Sequence, residues 1–131
     1  MLKSLYDSVK VLSSLIPATR TSSANGDAVD TMGYNSVMAV IEAGNIDTVD
    51  ADETYNFKLQ GSADGSTGWA DVSGATAVVT ADNQVKLIRL DNLLDVPRYI
   101  RVVATLAGTT PSWPGSAIVL LGNAVQGPVN S

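Results

Sequence analysis

The chain has 131 residues, 13 acidic against 8 basic side chains, a formal charge of −5 at pH 7 and a sequence pI near 4.3. Its length suits one domain with a sizeable core, and its acidic balance argues against nucleic acid, whose binding rests on clustered Lys and Arg. Neither His nor Cys occurs, which removes disulfides, thiolate chemistry and the imidazole base that most nucleophilic sites need.

Charged residues are only 16% of the chain, below the ~25% of typical domains. A surface richer in Ser, Thr, Asn, Gly and Ala suits a protein that lies against another protein.

At the N-terminus Leu2, Leu5, Tyr6, Val9, Leu12 and Ile16 fall on one helical stripe, while Val9 and Val11 alternate as a strand would, so helix and strand both stay open. Lys3, Asp7 and Lys10 interrupt any signal-peptide core, and no run approaches the ~20 apolar residues of a membrane span. The expectation is a product that folds inside the cell, away from membranes. Pro17 and the run Ala18 to Gly26 end whatever precedes them. Residues 1–26 are therefore expected as an arm and residues 27–131 as the folded domain.

Ser36 to Glu42 is apolar on both strand faces, the pattern of a central strand covered on both sides. A polar loop from Asn45 to Glu53 leads to a strand in which Tyr55, Phe57 and Leu59 share a face. Ala63-Asp64-Gly65-Ser66 is a turn, because Asp bonds its own backbone and Gly accepts positive φ. Trp69 to Val72 and Ala75 to Thr80 read as short strands separated by Ser73-Gly74. Within Gln84 to Leu90, Val85 and Leu87 oppose Ile88 and Leu90, which implies a bulge.

Arg98 to Leu106 alternates cleanly, with Ile100, Val102, Ala104 and Leu106 inward. Gly108 to Gly115 reads as a rigid, proline-bearing loop and Ser116 to Leu121 as a closing central strand. Seven or eight short strands with turn signals between them predict an all-β fold: a single antiparallel β-sandwich, jelly-roll-like, with an N-terminal arm.

Candidate chemistry is sparse. Asp47, Asp50, Asp52 and Glu53 offer hard oxygen ligands of the kind calcium takes. Their spacing fits no EF-hand loop, and a solvated loop is the stronger reading, so no metal is expected. Asp64-Gly65 and Asp82-Asn83 are explained by turn chemistry. Gly61, Gly65 and Gly68 lack the Lys-Ser/Thr pair and the helix of a phosphate loop. No catalytic residue and no cofactor are expected.

Arg98 and Arg101 flank Tyr99 and either clamp a partner's carboxylate or pair locally with Asp91 and Asp95, the second being favoured. Trp69 reads as core-edge packing. Trp113, between Pro111 and Pro114, reads as an interface anchor in a pre-ordered loop. The interface candidates are Leu5, Tyr6, Val9, Leu12 and Ile16 on the arm, with Trp113 and Arg101.

Three segments carry a family resemblance: Ala28-Val29-Asp30-Thr31-Met32-Gly33-Tyr34-Asn35-Ser36, Phe57 to Trp69 with Gln60-Gly61-Ser62-Ala63-Asp64-Gly65, and Arg98-Tyr99-Ile100-Arg101-Val102. A Gly-Thr-Thr-Pro loop, an apolar strand and Leu121-Gly122-Asn123-Ala124 follow. From about residue 20 onward the chain resembles the small structural proteins of tailed-phage head modules. The resemblance implies a capsid decoration, or cement, protein: a β-sandwich made in the host cytoplasm, carried on the outside of the shell, often a trimer, and bound to the major capsid protein. It carries over no catalytic residue.

Two other readings stand beside it. Ser-x-Asp-Gly-x-x-x-Trp also resembles discoidin-like carbohydrate-binding sandwiches, and a carbohydrate-binding module on a phage particle would use Trp113, Tyr99 or Tyr34 as its stacking surface. A neck or tail component would share the fold.

Overall fold

A computed structural model of the chain describes residues 4–125; Leu2 of the N-terminal stripe and the interrupting Lys3 lie outside them. One helical turn, α1 (Leu5–Ser8), precedes the strands β1 (Lys10–Arg20), β2 (Ala24–Asn25), β3 (Val29–Asp30), β4 (Tyr34–Ala43), β5 (Thr54–Ser62), β6 (Ala70–Val79), β7 (Val85–Leu90), β8 (Tyr99–Ala107) and β9 (Trp113–Ala124). The first sheet runs β1-β9-β4-β7, and the second runs β2-β8-β5-β6 with β3 also on β8.

The pairings are nested. β5 pairs with β6, β4 with β7, β2 and β3 with β8, and β1 with β9, all antiparallel. The chain is thus one long hairpin centred on the β5–β6 turn and rolled until its two halves face each other. That is the jelly-roll arrangement of two packed sheets, and the expected all-β antiparallel sandwich is what the structure shows.

Period-2 alternation supplies the core. Val37, Ala39 and Ile41 of β4, Tyr55, Phe57 and Leu59 of β5, Ile100, Val102 and Ala104 of β8, and Ala117, Val119 and Leu121 of β9 are all buried. Along these stretches of β4, β5, β8 and β9 every second residue faces the opposite sheet, as the pleat requires.

The N-terminal ambiguity resolves into both periods in succession. Ser4 caps α1, its Oγ accepting from the Asp7 N–H at 3.2 Å, and the chain then extends. Lys10–Arg20, expected as part of an arm, is the edge strand β1, paired to β9 from Lys10↔Leu121 to Arg20↔Trp113. Two register shifts, between Ser13 and Leu15 and between Leu15 and Ala18, turn both Ser14 and Leu15 inward, where both are buried. An edge strand also tolerates Pro17, which cannot donate to a ladder.

Other expectations shift in instructive ways. Ser73-Gly74 does not separate two strands: β6 is continuous through Gly74 at φ 76°, and the β5–β6 register slips between Lys58 and Gln60. β7 carries no bulge, because it pairs residue for residue with Val37 to Glu42. The last strand begins at Trp113, so that residue belongs to β9 rather than to the loop before it.

Candidate interaction surfaces

The two sheets present opposite chemistry to their surroundings. On the outer face of the second sheet, Arg101 donates through Nε and Nη2 to Gln60 Oε1 at 3.1 and 2.8 Å. Gln60 Nε2 then donates to Asp71 Oδ1 at 3.0 Å, and Lys58 Nζ pairs with the same carboxylate at 3.0 Å. The Arg101 guanidinium lies 4.3 Å from the centre of the half-buried Trp69 ring. This face is a wet ladder of cross-strand polar pairs.

The outer face of the first sheet is apolar at its centre. Register places Val11, Leu120 and Met38 in one row and Ile118, Val40 and Leu87 in the next. Val85 and Leu87 are 58% and 57% exposed, and Val11 is 57% exposed. β4 is central to its sheet but covered on one side only, contrary to its two-sided apolar pattern. Val85 and Leu87 oppose Ile88 and Leu90 because both faces of β7 are apolar, and no bulge is needed.

At the β1 end of this face, Leu5, Tyr6, Val9, Val11 and Leu120 line an open groove. Leu5 is 76% and Tyr6 69% exposed, and Ile16 is also exposed, whereas Leu12 faces the core. The structure therefore brings Leu5, Tyr6 and Val9 together, sends Leu12 inward and leaves Ile16 farther along the same edge strand.

Trp113 is fully buried and so presents no docking face. Its ring meets Phe57 edge-on at 4.8 Å and 64°, and its Nε1 donates to the Glu42 carbonyl at 3.2 Å. The prolines read as ordering an exposed loop instead flank a core anchor. A sugar-stacking role for this ring is excluded by the same burial.

The arginines find partners that are distant in sequence. Arg98 grips Asp30 through Nε and Nη2 at 2.8 and 2.7 Å, while Asp91 pairs with Arg89. The expected pairing of Arg98 and Arg101 with Asp91 and Asp95 does not form. The Arg98 guanidinium and the Met32 N–H hold the Asp30 carboxyl down at about 2. Asp64 accepts from the N–H groups of Ser66 and Thr67 at 2.9 and 2.8 Å, and these bonds depress its pKa well below the usual carboxylate range. It is the turn residue the sequence implies.

Asp50, Asp52 and Glu53 bring their carboxylates within 4.8 Å of one another. Asp52 accepts from the Thr109 N–H and Oγ1 at 3.1 and 2.7 Å, and Asp50 from Thr110 Oγ1 at 3.1 Å. These bonds pin the β8–β9 loop to the β4–β5 loop. The Thr109 bonds pull Asp52 down to about 2, and the adjoining Asp52 carboxyl pushes Glu53 up. Asp82 likewise serves structure, its Oδ1 accepting from the Ile46 N–H at 2.8 Å.

The residues that sequence reasoning overlooked are Met38, Val40, Val85, Leu87, Ile118 and Leu120. The signal was present: β4, β7 and β9 hold more apolar side chains than one sandwich interior accepts, and the surplus is what lies outside.

No protein-family model matches the chain, and no curated protein matches it. Among solved structures, a crystal structure of PirA aligns over 94% of this chain and 100% of its own, at 13% identity and a TM-score of 0.41. That likeness is too distant to bear on fold or role.

Proposed function

We propose that this protein is a structural component of a phage particle, a decoration protein that binds the outer surface of the major capsid protein and stabilises the head. The observation that carries the reading is the open apolar face of the first sheet, extended by Leu5, Tyr6 and Val9 at its β1 edge. Contiguous apolar surface of this kind marks protein contact rather than catalysis. The resemblance of the Ala28 to Ser36, Phe57 to Trp69 and Arg98 to Val102 segments to phage head proteins supplies the partner.

Capsid stabilisation needs no chemistry. A ligand that binds only the assembled shell favours that shell by RT ln(1 + [L]/Kd), about 2.7 kcal/mol at a hundredfold excess over Kd. The groove beside α1 is the contact assigned to the capsid, with the wet ladder of the second sheet facing solvent.

The test is density for this chain in a cryo-EM map of purified particles. Density on the head surface, with the α1 edge against the major capsid protein, is the expected result. Density at the neck or tail, or none, overturns the decoration role. In parallel, the chain lacking residues 1–8 should remain folded and no longer co-sediment with capsids. Retained binding would remove α1 from the contact.

A further inference from the structure

We infer that the β4–β7 half of the first sheet's outer face is the interface with a second copy of this chain, related by a twofold axis crossing the strands at the Val40–Leu87 pair. The inference uses the apolar face that also carries the capsid reading, at the edge opposite α1, and it is tested on the chain alone, so its failure is distinguishable from failure of that reading. Two facts carry it. The face is apolar at its centre, with Val40 and Leu87 opposite each other and Met38 and Val85 diagonal to them. Its only charges on these two strands, Arg89 and Glu42, are placed symmetrically about that centre.

The register makes the second fact quantitative. Arg89 lies opposite Met38, two residues from the Val40–Leu87 pair in one direction. Glu42 lies opposite Val85, two residues away in the other. Each step of two residues is about 7 Å along a strand, and neighbouring strands are ~4.8 Å apart. Rotation about an axis in the plane of the face and perpendicular to the strands exchanges the two rows. Arg89 of the second copy then lies over Val85, one strand from Glu42, and the same contact repeats by symmetry.

Both charges meet opposites while Leu87 meets Leu87 and Val40 meets Val40. A self-complementary patch is what an isologous contact requires. The existing partner of Arg89 is no obstacle, since the pair with Asp91 is 76% and 72% exposed and such surface pairs contribute little. The charges supply register and exclude alternative slides of one sheet over the other.

The experiment uses the full chain in sedimentation equilibrium across the micromolar range, together with single-thiol crosslinking. Because the chain has no Cys, Leu87→Cys introduces its only thiol, at an exposed position. A short bis-maleimide should join two copies of that variant and not two copies of Thr76→Cys, which is exposed on the outer face of the second sheet.

Wild type should sediment as a monomer–dimer equilibrium. Glu42→Arg and Arg89→Glu should each weaken the dimer about tenfold, and the double reversal should restore it. Circular dichroism of each variant checks that the fold is retained. A monomer at all concentrations, a trimer, equal crosslinking at 87 and 76, or a double reversal no better than the single ones would each overturn the inference.

Discussion

Ser14 is the side chain on which the two sheets are joined at their β1 edge. Its Oγ accepts from the Val102 N–H at 3.0 Å and donates to the Asp27 carbonyl at 3.0 Å, linking β1 of the first sheet to β8 of the second. The site is closed on its other side by Gly26, where an added Cβ would lie 2.7 Å from the Val102 carbonyl oxygen. Ser14→Ala leaves a buried N–H without its acceptor and should cost about 1–3 kcal/mol in denaturant melts. Gly26→Ala should cost more, because the added Cβ meets the Val102 and Ser14 carbonyl oxygens, which cannot rotate away, as well as the Ser14 hydroxyl itself. At the same scale, Asp30 is held from its ordinary 3.8 down to about 2, so folding favours its ionised form. Its contribution is complete above pH 4 and lost as pH falls toward 2. The pair is nearly half exposed, which keeps the effect below about 1 kcal/mol. Asp30→Asn should flatten the stability profile across that window. The Asp64 turn was legible because its bonds are local; the Arg98 partner was not, since Asp30 lies 68 residues away.

Strands were legible where one face alone is apolar, as in Tyr55, Phe57 and Leu59 or Ile100, Val102 and Ala104. They misled where both faces are, as in β4 and β7, because alternation reports burial in the isolated chain and cannot distinguish a second layer of this protein from a partner. β1 was hidden for another reason: its two register shifts and Pro17 break the periodicity on which strand reading depends. The element-level prediction follows from this difference. Removing residues 1–8 takes away α1, none of whose residues is buried, and should leave the melting temperature within a few degrees of the parent. Removing residues 1–20 strips β1 from β9 and uncovers Leu121 and Val119; that chain should lose its cooperative melt by circular dichroism. β9 depends on its anchor as well, and Trp113→Ala should cost about 3–5 kcal/mol, the range for emptying a large buried ring site.

For the whole molecule the nested pairing sets the folding problem. Among the described strands only the β5–β6 hairpin joins neighbours in sequence; β4 must wait for β7, β2 and β3 for β8, and β1 for β9. Each later pairing closes a longer loop, so refolding in stopped flow should take milliseconds to seconds or longer, as for other topologies dominated by distant contacts. Ser14→Ala, at the outermost pairing, should accelerate unfolding and leave the folding rate nearly unchanged, since contacts made last are absent from the transition state.

The contrast between the two outer faces makes the isolated protein behave as a small plate with one wetting and one non-wetting side. At an air–water boundary such a plate lies flat, with Leu87, Val40 and Leu120 toward the air and the Lys58, Gln60 and Arg101 ladder toward the liquid. Thin films of the purified chain should therefore show strongly preferred orientation, relieved by a trace of detergent. The same asymmetry makes a solvatochromic dye a reporter of occupancy: its fluorescence should rise on dilution of the free protein and be quenched whenever the plate is covered.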